Sequence, residues 1–339
     1  MDSLGRVERR FPFWTRRHLL QRLGGGLAAL PLVAPAPGSL PFPPEIVRPA
    51  PPARVGTQKG ADPFTFDADR AWADLLAQVQ AGPRVPNTAG HDTIREYLLR
   101  ELRDATDEVA TQDFDVDVRG TALHLSNVYG VLRAEQPTKV LLAAHWDSRP
   151  WADEDPNPAN RLTPIPGAND GASGVAVLLE VARVLRRVPP PVGVIIMFFD
   201  GEDYGPGFDA MFLGSRYYAQ HVVPERPAWG VLLDMVGDAD LKIPQEGVSH
   251  YRAPGVVERV WRAARELGRT EFLDDVGEGV VDDHLYVLDA GIPMADVIDF
   301  DYGPDNSWWH TLEDTPDKCS AASLEAVGQV ILRTILNAT

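Results

Sequence analysis

The 339-residue chain has a single cysteine, Cys319, so no disulfide can form within it. Basic residues are scarce: 32 Lys and Arg stand against 49 Asp and Glu, for a formal net charge of -17. A nucleic-acid surface needs an excess of Lys and Arg to neutralise phosphates, and this chain carries the opposite excess. There is no Gly-x-Ser-x-Gly turn for a serine nucleophile, no phosphate-binding P-loop and no internal repeat. Long apolar runs are missing too. The nearest, residues 19–36, is interrupted by Gln21, Arg22 and three glycines and is too short for a stable span of ~30 Å of hydrocarbon. What is present, 44% hydrophobic and 24% charged residues, suits a globular protein with a packed core.

Residues 1–38 carry six arginines against Asp2 and Glu8, which leaves the remainder of the chain at -21. A basic start followed by a mildly apolar stretch reads as a signal or anchor segment. Within it, Thr15-Arg16-Arg17-His18-Leu19-Leu20-Gln21 resembles the twin-arginine export motif, which implies export to the periplasm or the outside. Residues 39–61 include Pro41, Pro43, Pro44, Pro49, Pro51 and Pro52, a density that reads as an extended linker. A single catalytic domain is expected over 62–339.

That domain alternates strands and helices. Apolar periodicity predicts helices over 67–80, 91–105, 171–187, 255–267 and 320–336. Residues 111–118 alternate Phe114, Val116 and Val118 with Asp113, Asp115 and Asp117, a half-exposed strand, with 127–132 as its neighbour. Continuous apolar runs at 139–144, 192–199, 229–233 and 293–298 predict buried strands. The fold class is therefore α/β, a mostly parallel central sheet with helices on both faces. Ligand sites in such sheets lie beyond the carboxyl ends of the strands. There the sequence places His145, Asp147, Glu202, Asp203, Asp234 and the loop reaching His310.

His145, Asp170, Asp203, Asp234 and His310 are of the nitrogen and carboxylate types that catalytic zinc favours, and Glu202 is an additional acid beside them. Each has a plainer reading when taken alone. Asp170 can be a helix N-cap, Glu202-Asp203 a polar turn, and Asp282-Asp283 carboxylates at a helix start. Cys319 has no recognisable base beside it and reads as passive. The histidines His91, His124, His221 and His250 show no ligand-like partner nearby in sequence.

The succession His145-x-Asp147, Asn169-Asp170-Gly171, Glu202-Asp203, Asp234 and Trp309-His310-Thr311 resembles the zinc aminopeptidase superfamily. That resemblance implies two zinc ions bridged by Asp170, one also held by His145 and Asp234 and the other by Asp203 and His310. Asp147 would orient the ligands and Glu202 would be the general base. His145-Trp146-Asp147-Ser148, Phe198-Phe199-Asp200-Gly201-Glu202-Asp203, Leu213-Gly214-Ser215-Arg216 and Asp282-Asp283-His284 extend the likeness. With Trp309-His310-Thr311 they resemble the animal-type glutaminyl-peptide cyclotransferases, which share the aminopeptidase fold and close an N-terminal Gln to pyroglutamate with loss of ammonia. The resemblance implies one zinc on Asp170, Asp203 and His310, with Glu202 as proton carrier. Asp234 and Asp282 would form a hydrogen-bond network, and Trp309 a pocket wall. Three positions depart from the animal pattern: Asp203 replaces Glu, Phe208 stands near the place of a pocket Trp, and Asp296 replaces a His. The cyclase, a two-zinc aminopeptidase and a non-catalytic exported binding domain are the functions the sequence allows. For the two enzymes the expected partner is a peptide or protein N-terminus, drawn to an acidic cleft.

Overall fold

In the computed structural model, which describes residues 65–338, the chain builds one six-stranded sheet and a second, two-stranded one. The expected leader and linker lie outside the described residues. The strands are β1 (Glu108–Val118), β2 (Thr121–Leu132), β3 (Lys139–His145), β4 (Gly193–Phe199), β5 (Trp229–Asp234) and β8 (Met294–Ile298), arranged β1-β2-β4-β3-β5-β8. β4, β3, β5 and β8 run parallel. The hairpin β1–β2 is antiparallel and joins β4 antiparallel. β6 (Ile243–Gln245) and β7 (Phe272–Val276) form the small sheet.

Every residue of β3 and β4 is buried, as expected where both faces of a parallel sheet are covered. The helices are α1 (Ala68–Gln80), α2 (Ala89–Ala105), α3 (Ala172–Arg187), α4 (Leu213–Gln220), α5 (Gly247–Arg252), α6 (Pro254–Leu267), α7 (His284–Asp289) and α8 (Ala321–Leu336). α3 lies on β3, surrounded by α1, α2 and α8. α4 packs on β2 and β4 and against α7. Side chains cap three of the five predicted helices: Asp67 accepts the amide of Arg70, Thr88 that of His91, and Ser320 that of Ser323. α3 approaches β5 so closely that a Cβ on Gly174 would sit 2.3 Å from the Leu233 carbonyl oxygen.

The predicted strands and long helices are all present, with ends shifted by a few residues. α4, α5, β6 and β7 were not expected. They are short, helices of eight and six residues and strands of three and five, too few for a readable periodicity. Among the described residues no helix is long and apolar enough to cross a membrane.

Candidate metal centre and active site

Sheet register brings the functional side chains to one edge. His145 pairs with Phe199 at the ends of β3 and β4, and β3 pairs with β5 in a register that sets His145 level with Asp234. Asp200-Gly201-Glu202-Asp203 follows β4, and the segment reaching His310 follows β8. Asp170 enters from the loop before α3. It is not an N-cap: Gly171 holds that position, with φ 74° and no side-chain capping bond.

The sequence-predicted ligands converge. His145 Nε2 lies 3.1 Å from Asp170 Oδ1 and 3.2 Å from Asp234 Oδ1. His310 Nε2 lies 3.6 Å from Asp170 Oδ2 and 3.4 Å from Asp203 Oδ1. Asp170 therefore turns one oxygen to each histidine, and two donor sets share it: His145, Asp170, Asp234 and Asp170, Asp203, His310. All five side chains are buried. Asp203 Oδ2 and His145 Nδ1 have no hydrogen-bond partner. Packing so many carboxylates out of water without a cation is costly, and the nitrogen and oxygen donors are those of a zinc-type ion. The residues present fit such a metal.

A pocket of about 60 Å³, room for roughly four waters, opens beside these ligands. Glu202, Asp234, Asp282, Phe208 and Trp309 line it. The Trp309 ring stacks on His310 with centroids 3.6 Å apart and meets Phe300 edge-on at 5.2 Å. Every sequence-predicted site residue thus reaches one place. The Asp282-Asp283 pair does stand at a helix start: Asp283 takes the N-cap position of α7, without a side-chain capping bond, and Asp282 Oδ1 accepts its amide. Cys319 is buried, its thiol 3.9 Å from the Tyr302 hydroxyl. Burial pushes that thiol well above its ordinary range, which agrees with a passive residue.

Burial, with the charges of Asp203, Asp282 and Asp283, pushes Glu202 well above the usual carboxyl range, opposed by His145. Asp282 is pushed up to about 7, mainly by burial and then by Asp234. Burial would also raise Asp203, but His310 and Arg149 outweigh it and hold it at about 2. Arg149 donates to Asp203 Oδ1 at 2.5 Å.

The supporting residues were mostly missed. Asp147 was expected to orient the ligands, and its oxygens accept the backbone amides of Glu202 at 3.0 Å and Asp203 at 3.2 Å. Asp314, not anticipated, accepts the amides of Asn169 at 2.8 Å and Asp170 at 3.2 Å. Arg84 is fully buried and donates to the carbonyls of Trp146, Gly167 and Asp170. His91 does have a partner: its Nε2 lies 2.9 Å from Asp200, which also accepts the amide of Ser126. The Pro- and Asp-rich stretch 151–166 braces the His310 turn. Glu154 donates its amide to the His310 carbonyl, and Asp155 accepts the amide of Leu312 at 3.2 Å. His310 itself holds φ 54°, and Met235, next to Asp234, φ 49°. Left-handed backbone at non-glycine residues costs on the order of 1–3 kcal/mol and persists where its surroundings enforce it.

Residues 127–335 match Peptidase family M28, and the chain belongs to that family. It is an enzyme, and the relationship implies zinc. It is 29% identical over 275 residues to Aminopeptidase YwaD of Bacillus subtilis, an alignment covering 76% of this chain and 54% of that relative. The chain thus spans about half of YwaD's length. It is 24% identical over 287 residues to the Glutaminyl-peptide cyclotransferase of Drosophila melanogaster, covering 74% of this chain and 75% of the relative. The crystal structure of Tannerella forsythia glutaminyl cyclase superposes with a TM-score of 0.78 at 41% identity, covering 81% of this chain and 100% of that one.

Proposed function

We propose that the chain is a zinc-dependent glutaminyl-peptide cyclotransferase, converting an N-terminal Gln to pyroglutamate with release of ammonia. The pocket carries this reading: Asp282 and Trp309, which the cyclase resemblance names, line it together with Glu202 and the donors Asp170, Asp203 and His310. Ligand atoms on a tetrahedral zinc at ~2.0–2.1 Å lie about 3.4 Å from one another, and the spacings of 3.4 and 3.6 Å around His310 suit such an ion. The reading puts one zinc on Asp170, Asp203 and His310, and leaves Asp234 to the substrate. The similarity to the Tannerella forsythia cyclase supports the same reading.

When bound, the zinc supplies a Lewis acid for the γ-carbonyl oxygen of the substrate glutamine. Glu202 takes a proton from the α-amine as that nitrogen bonds to the side-chain carboxamide carbon, Cδ. It returns the proton to the amide nitrogen, whose bond to carbon breaks as ammonia leaves. Its burial-raised affinity for protons suits a group that both takes and gives one. Asp234 and Asp282 hold the α-amine in line, and Trp309 and Phe208 flank the side-chain methylenes. A pocket of about 60 Å³ suits one short side chain. The twin-arginine-like leader supports export of the enzyme.

The alternative is a two-zinc aminopeptidase, favoured by the complete His145, Asp170, Asp234 set. One experiment separates them: incubation of the zinc-loaded protein with an N-terminal Gln peptide and with a Leu anilide. Ammonia release without anilide hydrolysis is expected. Anilide hydrolysis without ammonia would establish the aminopeptidase instead.

A further inference from the structure

Behind the pocket wall lies a third group of ligand-type side chains. Asp282, His284 and Asp296 each present one donor atom, all within 4.8 Å of one another. They are 3%, 0% and 0% exposed. Neither ring nitrogen of His284, neither oxygen of Asp296 nor Oδ2 of Asp282 has a hydrogen-bond partner. Buried polar atoms without partners are uncommon and ask for a missing ligand.

The surroundings of His284 indicate which kind. Its Nε2 lies 3.3 Å from Glu246 Oε2, and its Nδ1 lies 3.4 Å from Asp296 Oδ2. Glu246 is fixed by the backbone amides of Val248, Ser249 and Val280. A carboxylate fixed in this way stands beside Nε2, the place taken by the usual outer partner of a histidine bound to a metal through its other nitrogen. Asp282, Asp296 and Glu246 thus bring three carboxylates together out of water, an arrangement whose cost a cation among them would offset.

We propose that His284 Nδ1 and one oxygen each from Asp282 and Asp296 form a separate, buried metal site for a divalent cation of the zinc type, with Glu246 as the outer partner of the imidazole. One nitrogen and two carboxylate oxygens suit such an ion. It ties the start of α7 to β8 and fixes Asp282 in the pocket wall from behind. The site does not depend on which reaction the pocket performs.

Crystals of the full wild-type chain grown with zinc, measured at the zinc absorption edge, test this directly. Anomalous density is expected ~2.0–2.2 Å from His284 Nδ1 and from both aspartates, in addition to any at Asp170, Asp203 and His310. Density at the pocket ligands with none at His284 would overturn the proposal and leave a protonated His284 as the counter-charge. In solution, Asp296→Asn and His284→Gln are each expected to lower bound zinc by one equivalent per chain while the pocket zinc stays. Unchanged stoichiometry in both variants would also overturn it. Should neither variant fold, the wild-type scattering decides alone. Both readouts report metal and not turnover, so a failed cyclase assay leaves them intact.

Discussion

The Asp147 carboxylate accepts the backbone amide of Glu202 at 3.0 Å, so the turn carrying the proposed proton carrier is held from the end of the neighbouring strand. Its other oxygen takes the amide of Asp203. Asp147→Asn keeps one acceptor and turns the other into a donor facing an N–H. Loss of such an outer partner costs about 10–100-fold in metal affinity or activity. Zinc affinity and kcat of the variant are both expected to fall in that range. Wild-type values for both would mean that the turn holds itself.

Gly171 is needed twice over. Its φ is 74°, and a Cβ there would sit 2.7 Å from the His145 ring. Gly171→Ala is expected to destabilise the protein by ~1–3 kcal/mol from backbone strain alone, and to displace His145. Denaturant unfolding reads the first effect. A stability within ~0.5 kcal/mol of wild type would place it among ordinary surface substitutions.

Asp299 makes a pH-dependent prediction away from the metal ligands. Burial pushes it from its ordinary 3.8 up to about 7, although the amides of Lys242 and Asp301 favour its charged form. The folded protein therefore holds this proton more tightly than the unfolded chain does. The resulting stability is full below about 3.8 and is lost as pH rises towards about 7. Over that window the slope is at most ~1.4 kcal/mol per pH unit for one group. Asp299→Asn is expected to remove its share of the slope in unfolding curves taken from pH 4 to 7. Parallel wild-type and variant curves would contradict the assignment.

The parallel sheet could be read in advance because a strand buried on both faces must be apolar throughout, as 192–199 is. Chemistry-bearing residues then stand out where such a run stops, which made His145, Glu202, Asp203 and Asp234 visible. The scaffold behind them could not be read in the same way. Arg84 reaches Gly167 and Asp170, and Asp314 reaches Asn169, across more than 80 residues. A buried Arg or Asp looks like a surface one in sequence, since only the tertiary fold removes it from water. His284, Asp296 and Glu246 come from a short helix, a strand interior and a helix cap, with no spacing to connect them. Stretch 151–166 has no periodicity, yet its backbone and Asp155 brace the His310 turn.

The most direct test of the account is ammonia release from an N-terminal Gln peptide by Glu202→Gln beside the wild type, with bound zinc measured on the same samples. Removing a positioned general base costs about 10²–10⁴-fold. The variant is expected to keep its zinc and lose turnover on that scale. Full zinc with activity within about tenfold of wild type, ~1.4 kcal/mol of barrier, would contradict the role given to Glu202.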